Sequence, residues 1–255
     1  MIRLKTSEEI EIMREGGQRL AEILSILAEL VKPGVSSFFL EEEARRLIKE
    51  GGDTPAFLGY KPQGAKRPYP AALCVSVNDE IVHGIPNETE KIFKEGDIVS
   101  LDFGITHRGL ITDAATTVPV GVVDEESKKL IEITKKALDA GIKAAIPGNT
   151  IGDIGAAISA VVGTTKFSLA DDLVGHGVGY VVHEDPYVPN VGIKGTGEKL
   201  VPGLVIALEP MVNAGHSSIK MFPDGYTIKT RDGSRSAHFE HSIAITEKGN
   251  IILTL

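Results

Sequence analysis

A carboxylate in the middle of an apolar run is the first feature of this sequence that asks for a chemical explanation. Asp102 lies in Val99-Ser100-Leu101-Asp102-Phe103-Gly104, and an unpaired charge buried in such a strand is costly enough to require a partner. Asp113 is the candidate. With Ile98 to Ile105 and Leu110 to Pro119 as the arms of a hairpin that turns between His107 and Arg108, residues 102 and 113 face each other at a Cβ separation of roughly 4.5–5.5 Å. Two carboxylates that close repel unless a proton or a cation sits between them. Taken alone, the pair is equally well served by a turn cap at Asp113 and backbone hydrogen bonds to Asp102.

The second half of the chain adds further donors. Val174-Gly175-His176-Gly177-Val178-Gly179 sets a histidine between glycines that let the backbone come close to something, and Val182-His183-Glu184-Asp185-Pro186 follows. Glu209 stands in Val205-Ile206-Ala207-Leu208-Glu209-Pro210, and Glu240 in Phe239-Glu240-His241-Ser242-Ile243-Ala244-Ile245. A satisfied core position explains any one of these. It does not readily explain four acids stranded in apolar strands together with a glycine-flanked histidine. Hard oxygen donors with one imidazole suit Mn, Fe, Co or Zn rather than a thiolate metal. Four acids exceed the needs of one cation, so two divalent ions about 3.5–4 Å apart, bridged by carboxylates and a hydroxide, are expected.

Other chemistries lack their residues. His183-Glu184-Asp185-Pro186 is not H-E-x-x-H, no Walker lysine is present, Gly175-x-Gly177-x-Gly179 misses the dinucleotide spacing, and no serine lies in G-x-S-x-G. Cys74 sits mid-strand beside Leu73 and Val75, the setting of a small buried hydrophobe rather than a nucleophile.

The elements that must position these residues follow from periodicity. Ile10, Met13, Gly17, Leu20, Leu24, Leu27 and Val31 share one face of a first helix, with a capping box from Thr6 to Glu9 and a stop at Pro33-Gly34. Leu40, Ala44, Leu47 and Ile48 face inward on a second. Gly51 to Pro70 reads as an exposed loop, and Ala72 to Val77 as a strand. The plan then recurs. Asp124 opens a helix with Leu130, Thr134, Ala137, Leu138, Gly141 and Ala145 on one face, Pro147-Gly148 ends it, and Thr150 with Asp153 caps another carrying Ile154, Ile158 and Val161. Val31-Lys32-Pro33-Gly34-Val35-Ser36 returns 114 residues later, and Gly96-Asp97-Ile98-Val99-Ser100-Leu101-Asp102 is echoed 107 residues later by Gly203-Leu204-Val205-Ile206-Ala207-Leu208-Glu209. A chance likeness of two helix stops is the alternative to duplication, and the near-equal offsets argue against it. One domain over residues 1–255 is expected, made of pseudo-repeats of about 1–120 and 121–255, with Asp102 and Glu209 meeting at a pseudo-two-fold centre.

Composition agrees with a globular chain of 255 residues, 42 % hydrophobic and 24 % charged. A net charge of −8 repels phosphate backbones and anionic lipid, so neither nucleic acid nor a membrane is an expected partner. With one cysteine, no signal-peptide pattern and no apolar run of membrane-spanning length, a cytoplasmic location is expected.

The stretches that carry the chemistry resemble those of the type I methionine aminopeptidases. They are Asn78-Asp79-Glu80-Ile81-Val82-His83-Gly84-Ile85-Pro86, Gly96 to Asp102, Thr112-Asp113-Ala114-Ala115, Gly175 to Gly179, His183-Glu184-Asp185-Pro186-Tyr187-Val188-Pro189-Asn190, Ala207-Leu208-Glu209-Pro210 and Phe239-Glu240-His241, in order along residues 3 to 250. The resemblance implies an α+β pita-bread fold, a curved antiparallel sheet covered by two helix pairs with internal pseudo-two-fold symmetry. It implies Asp102, Asp113, His176, Glu209 and Glu240 as ligands of two divalent ions (Co, Mn, Fe or Zn), with Asp113 and Glu240 bridging. By the same resemblance a metal-bridged hydroxide attacks the first peptide bond with Glu209 as general base. His83 and His183 hold the substrate and the developing oxyanion, and Tyr69, Cys74 and Tyr226 contact the methionine side chain. The implied substrates are nascent polypeptide N-termini with a free methionine and a small, uncharged second residue, met at or near the ribosome by a monomer.

The sequence lacks the N-terminal zinc-binding extension of eukaryotic type I enzymes and the helical insertion between His183 and Glu240 seen in type II, which makes it similar to the bacterial form. Three departures stand out: a longer, basic Lys61 to Pro68 loop, Tyr226 where some relatives have tryptophan, and His238 where glutamine is common. All three are expected at the pocket or its rim. X-Pro peptidases of the same fold and ligand-less, partner-binding relatives are the competing readings. The first usually carry an extra N-terminal domain, and the second lack metal residues.

Overall fold

The computed structural model describes residues 2–255. Its elements in chain order are α1 (Ser7–Leu30), α2 (Ser37–Glu50), β1 (Thr54–Pro55), β2 (Cys74–Val77), β3 (Glu80–Val82), β4 (Ile98–His107), β5 (Leu110–Pro119), α3 (Glu125–Ala144) and α4 (Ile151–Val162). Then come β6 (Ser168–Leu169), β7 (Val174–Gly177), β8 (Glu184–Pro189), β9 (Val205–Leu208), β10 (Met211–Asn213), β11 (Ile219–Met221), β12 (Ile228–Thr230), β13 (Ser236–His238), β14 (Glu240–Thr246) and β15 (Gly249–Ile252).

The helices begin where the caps direct. Thr6 accepts from the Glu9 amide at 3.2 Å while the Glu9 carboxylate accepts from the Thr6 amide at 2.8 Å. Asp124 caps α3 through the Ser127 amide, and the Asp153 carboxylate accepts from the Thr150 amide at the start of α4. The inward face of α1 is Met13, Gly16, Gly17, Leu20, Ile23, Leu24 and Leu27, with Ile10 only half-buried. Leu47 of α2 and Val161 of α4, both expected inward, are half-buried, and Val162 takes the buried place on α4. These stripes cover one apolar core under α1 and α2 and a second under α3 and α4.

Both cores rest on one antiparallel sheet in the order β1-β4-β5-β14-β9-β7-β8, with β2 on β4 and β15 on β14. Strand β14 therefore joins the first-half hairpin to the second-half strands. The halves also repeat their connections. The Gly34 amide donates to the Phe93 carbonyl and the Gly148 amide to the Leu200 carbonyl. Isolated bridges pair Ser36 with Ile92 and Thr150 with Lys199. These pairs are related by the same offsets, 114 and 107, as the sequence echoes. Gly34 and Gly148 have φ values of 87° and 92°, a left-handed conformation that glycine adopts without strain.

The hairpin of β4 and β5 corrects one expectation. The turn is Arg108-Gly109, with φ 48° and 85°, so His107 pairs with Leu110, Asp102 with Ala115 and Gly104 with Asp113. A two-residue turn of this kind needs left-handed backbone at both central positions, and glycine meets that need at 109. His107 is held back in the strand, its Nδ1 2.7 Å from Asp53 Oδ1. Moving the turn centre by one residue moves the pairing by two. Asp102 and Asp113 thus become diagonal neighbours on the same face rather than opposite partners. Gly51 to Pro70 is not wholly exposed either: Phe57 and Tyr69 are buried, and Thr54–Pro55 pairs with β4.

Candidate metal centre

Register gathers the stranded acids on one face of the sheet. Glu240 opposes Ala115 and so shares a face with Asp113, while His176 opposes Ala207, two residues before Glu209. His238, at the end of β13, opposes Met211 and lies two residues from Glu240. Ligand-capable atoms of Asp113, His176 and Glu240 lie within 4.8 Å of one another, and so do those of Glu209, His238 and Glu240. Glu240 belongs to both groups. Asp102 stands outside these two triplets but near enough for its charge to raise Glu209 and Glu240. All six side chains are nearly out of solvent.

Whether these are ordinary buried acids is decided by comparison with Glu41. That carboxylate, equally buried on α2, accepts from the amides of Ala72 and Leu73 and pairs with Arg45. Asp102 Oδ1, Asp113 Oδ1, Glu240 Oε1 and both ring nitrogens of His238 are buried and find no hydrogen-bond partner among the described residues. An unmet buried carboxylate oxygen costs at least a few kcal/mol, and several converging on one point fit cations. Burial drives the Asp113 carboxyl up to about 7, and burial with mutual repulsion drives Asp102, Glu209 and Glu240 well above the usual carboxylate range. Burial lowers His176 and His238 to about 3, so both imidazoles keep a free lone pair at neutral pH. The donor set suits divalent first-row ions.

Several supports were not visible in the linear pattern. The Ser242 hydroxyl accepts from the Asp113 amide at 2.9 Å and donates to its carbonyl at 2.8 Å, locking that residue's backbone to β14. The glycines around His176 admit neighbouring strands: a Cβ on Gly175 would lie 2.3 Å from the Ala207 carbonyl oxygen, and one on Gly177 2.3 Å from that of Asp185.

A cavity of about 720 Å³ opens beside the cluster, lined among others by His83, His183, Tyr69, Cys74 and Tyr226. Of the three departures, the Lys61 to Pro68 loop and Tyr226 do line it, and they are tied together, since the Tyr226 hydroxyl donates to the Arg67 carbonyl. His238 is not at the rim but among the acids. His83 has a left-handed backbone (φ 58°), and burial together with the nearby His183 lowers its imidazole to about 4. Facing the cavity, His183 rests edge-on to His176 at 4.4 Å and holds the Tyr60 hydroxyl 2.8 Å from Nδ1. If Tyr60 donates, the neutral ring carries its proton on Nε2. Tyr60 is a contact that sequence reading missed. Tyr69 spends its hydroxyl on the carbonyls of Leu73 and Gly84 and meets Tyr226 edge-on at 5.1 Å, so only its ring faces the cavity. Cys74 pairs with Asp102 across the sheet, and burial pushes its thiol well up, which removes it as a nucleophile.

The chain is similar to known proteins over its whole length. The profile of metallopeptidase family M24 matches residues 11–247. A methionine aminopeptidase of Aquifex aeolicus is 49 % identical over 99 % of this chain and 98 % of its own. Methionine aminopeptidase 1 of Bacillus subtilis is 44 % identical over 100 % and 99 %. The crystal structure of a Thermotoga maritima methionine aminopeptidase superposes with a TM-score of 0.95 at 44 % identity, covering 100 % of this chain and 99 % of that one. An Xaa-Pro dipeptidase of Bacillus anthracis shares the fold at a TM-score of 0.77 and 23 % identity, this chain spanning 61 % of its length.

Proposed function

The chain belongs to metallopeptidase family M24 and has the pita-bread fold, and on that premise we propose that it is a metal-dependent aminopeptidase that removes the N-terminal methionine of peptides whose second residue is small and uncharged. The observation that carries this reading is the set of partnerless carboxylate oxygens beside a cavity that also presents two neutral histidines. Asp102, Asp113, His176, Glu209 and Glu240 would hold two divalent ions drawn from Co, Mn, Fe and Zn, with Asp113 and Glu240 shared between them. Such ions acidify water and polarise a carbonyl.

The protein's own groups do the rest. Glu209, with a carboxyl raised by burial and by Asp102 and Asp113, is suited to take a proton from the attacking water and return it to the departing amine. His183 donates from Nε2 to the carbonyl oxygen as charge develops there, and His83 donates to the peptide. The rings of Tyr69 and Tyr226 with Cys74 form an apolar wall where a thioether packs well against aromatic edges. The substrates in the cell are nascent chains with a free methionine, met by a cytoplasmic monomer at or near the ribosome, with no specific nucleic acid or membrane partner. Among the described residues no helix is long and apolar enough to cross a membrane.

Assay of Met-Ala-Ser, Met-Lys-Ser, formyl-Met-Ala-Ser and Ala-Pro-Ser side by side, with ions supplied, tests the proposal. Met-Ala-Ser alone should be cleaved well. Preferred cleavage of Ala-Pro would place the enzyme among X-Pro peptidases, and no cleavage at all with ions bound would favour a partner-binding protein.

A further inference from the structure

His238 is a residue that the five-ligand assignment leaves without a task. Its backbone is held on both sides by Thr117, whose hydroxyl accepts from the His238 amide and donates to its carbonyl, each at 2.8 Å. Its imidazole is 2 % exposed, points among the acids, and has no hydrogen-bond partner at either nitrogen. Nε2 lies 3.5 Å from Glu209 Oε2 and 3.9 Å from Glu240 Oε2. These separations exceed the roughly 2.7–3.2 Å of an N–H···O hydrogen bond. They are close to the separation of two donors on one ion, about 3.4 Å at a tetrahedral angle with bonds near 2.1 Å. His176, the nitrogen ligand in the five-residue reading, shows the same relation to the other oxygen of the same carboxylate: its Nε2 is 3.4 Å from Glu209 Oε1.

We propose that His238 is a sixth protein ligand of the metal centre, binding through Nε2 to an ion it shares with Glu209 and Glu240. The inference rests on the metal reading above and deepens it, because the centre then carries two imidazoles, His176 on one side of Glu209 and His238 on the other. A second nitrogen shifts preference away from Mn and Mg, which favour all-oxygen sites, and toward Fe, Co and Zn. Glutamine at this position would offer an amide oxygen instead.

The test is a calorimetric titration of ion-free protein with zinc and with manganese, run on the native chain and on His238→Gln. The variant should bind one of two zinc ions at least about 10–100-fold more weakly, with a smaller loss for manganese. Because the variant could misfold, the native chain labelled with 15N-histidine is measured as well, and zinc should produce two ligated imidazole nitrogens. Two bound zinc ions with one ligated nitrogen, or unchanged affinity in a folded His238→Gln, would overturn the role of His238 alone. No zinc taken up by the native chain would overturn the metal reading and this inference together.

Discussion

Glu41 and Asp113 are both buried carboxylates, and what separates a structural acid from a chemical one is the company of their oxygens. Glu41→Gln should therefore loosen the Ala72-Leu73 segment that leads into β2, whereas Asp113→Ala or Glu240→Ala should remove most ion binding and all turnover. Calorimetry and a peptide assay on the same preparations check this contrast. Glu209→Gln keeps a donor oxygen and loses the base, so kcat should fall by about 10²–10⁴-fold with little change in KM. Normal turnover with ions bound would assign the base elsewhere. The acids were legible in the sequence because a charge inside an apolar strand is conspicuous. The place of His238 among them and the support from Ser242 were not, although each is two residues from Glu240 and so shares its face in the extended backbone. Alternation was the signal available. Nothing local marked Tyr60, whose partner His183 is 123 residues away.

At the level of elements, helix stops, caps and strand runs could be read directly, while register could not, since the turn centre between β4 and β5 depends on which residues tolerate left-handed backbone. Close packing was equally hidden. Gly17 lies on the inner face of α1, where a Cβ would sit 2.2 Å from the Leu253 carbonyl oxygen. Alanine there gains roughly 1 kcal/mol of helix propensity, yet backbone is a poor thing to displace, and overpacking typically costs about 1–3 kcal/mol. The clash wins: Gly17→Ala should lower the melting temperature, and an increase would show that α1 can slide on the sheet.

Across the whole molecule, crowding acids makes stability depend on pH and on ions. Burial raises the Asp113 carboxyl to about 7, and burial with mutual repulsion raises Asp102, Glu209 and Glu240 well above the usual carboxylate range, so their contribution to ion-free stability is complete below about pH 4 and is lost as pH rises, for Asp113 through about 7. His83, His176 and His238, lowered to about 4, 3 and 3, act the other way: their contribution is present above about pH 6.5 and lost as pH falls toward 3–4. Between pH 6.5 and 8 only the acids are changing. Calorimetry of chelated protein should show its melting temperature falling across that interval, and added divalent ions should raise the temperature and flatten the slope. The central place of β14 matters also for how the chain is made. Its residues 240–246 pair with both β5 and β9, yet they leave the ribosome long after residue 119 of β5 and about thirty residues after β9. Until they emerge, two facing strand edges lie unpaired and the site lacks Glu240, the residue common to both donor groups. Domains generally fold as units during synthesis. A chain stalled before residue 240 should stay open to protease, and resistance and ion uptake should arrive together, in one late step, once β14 is free of the exit tunnel.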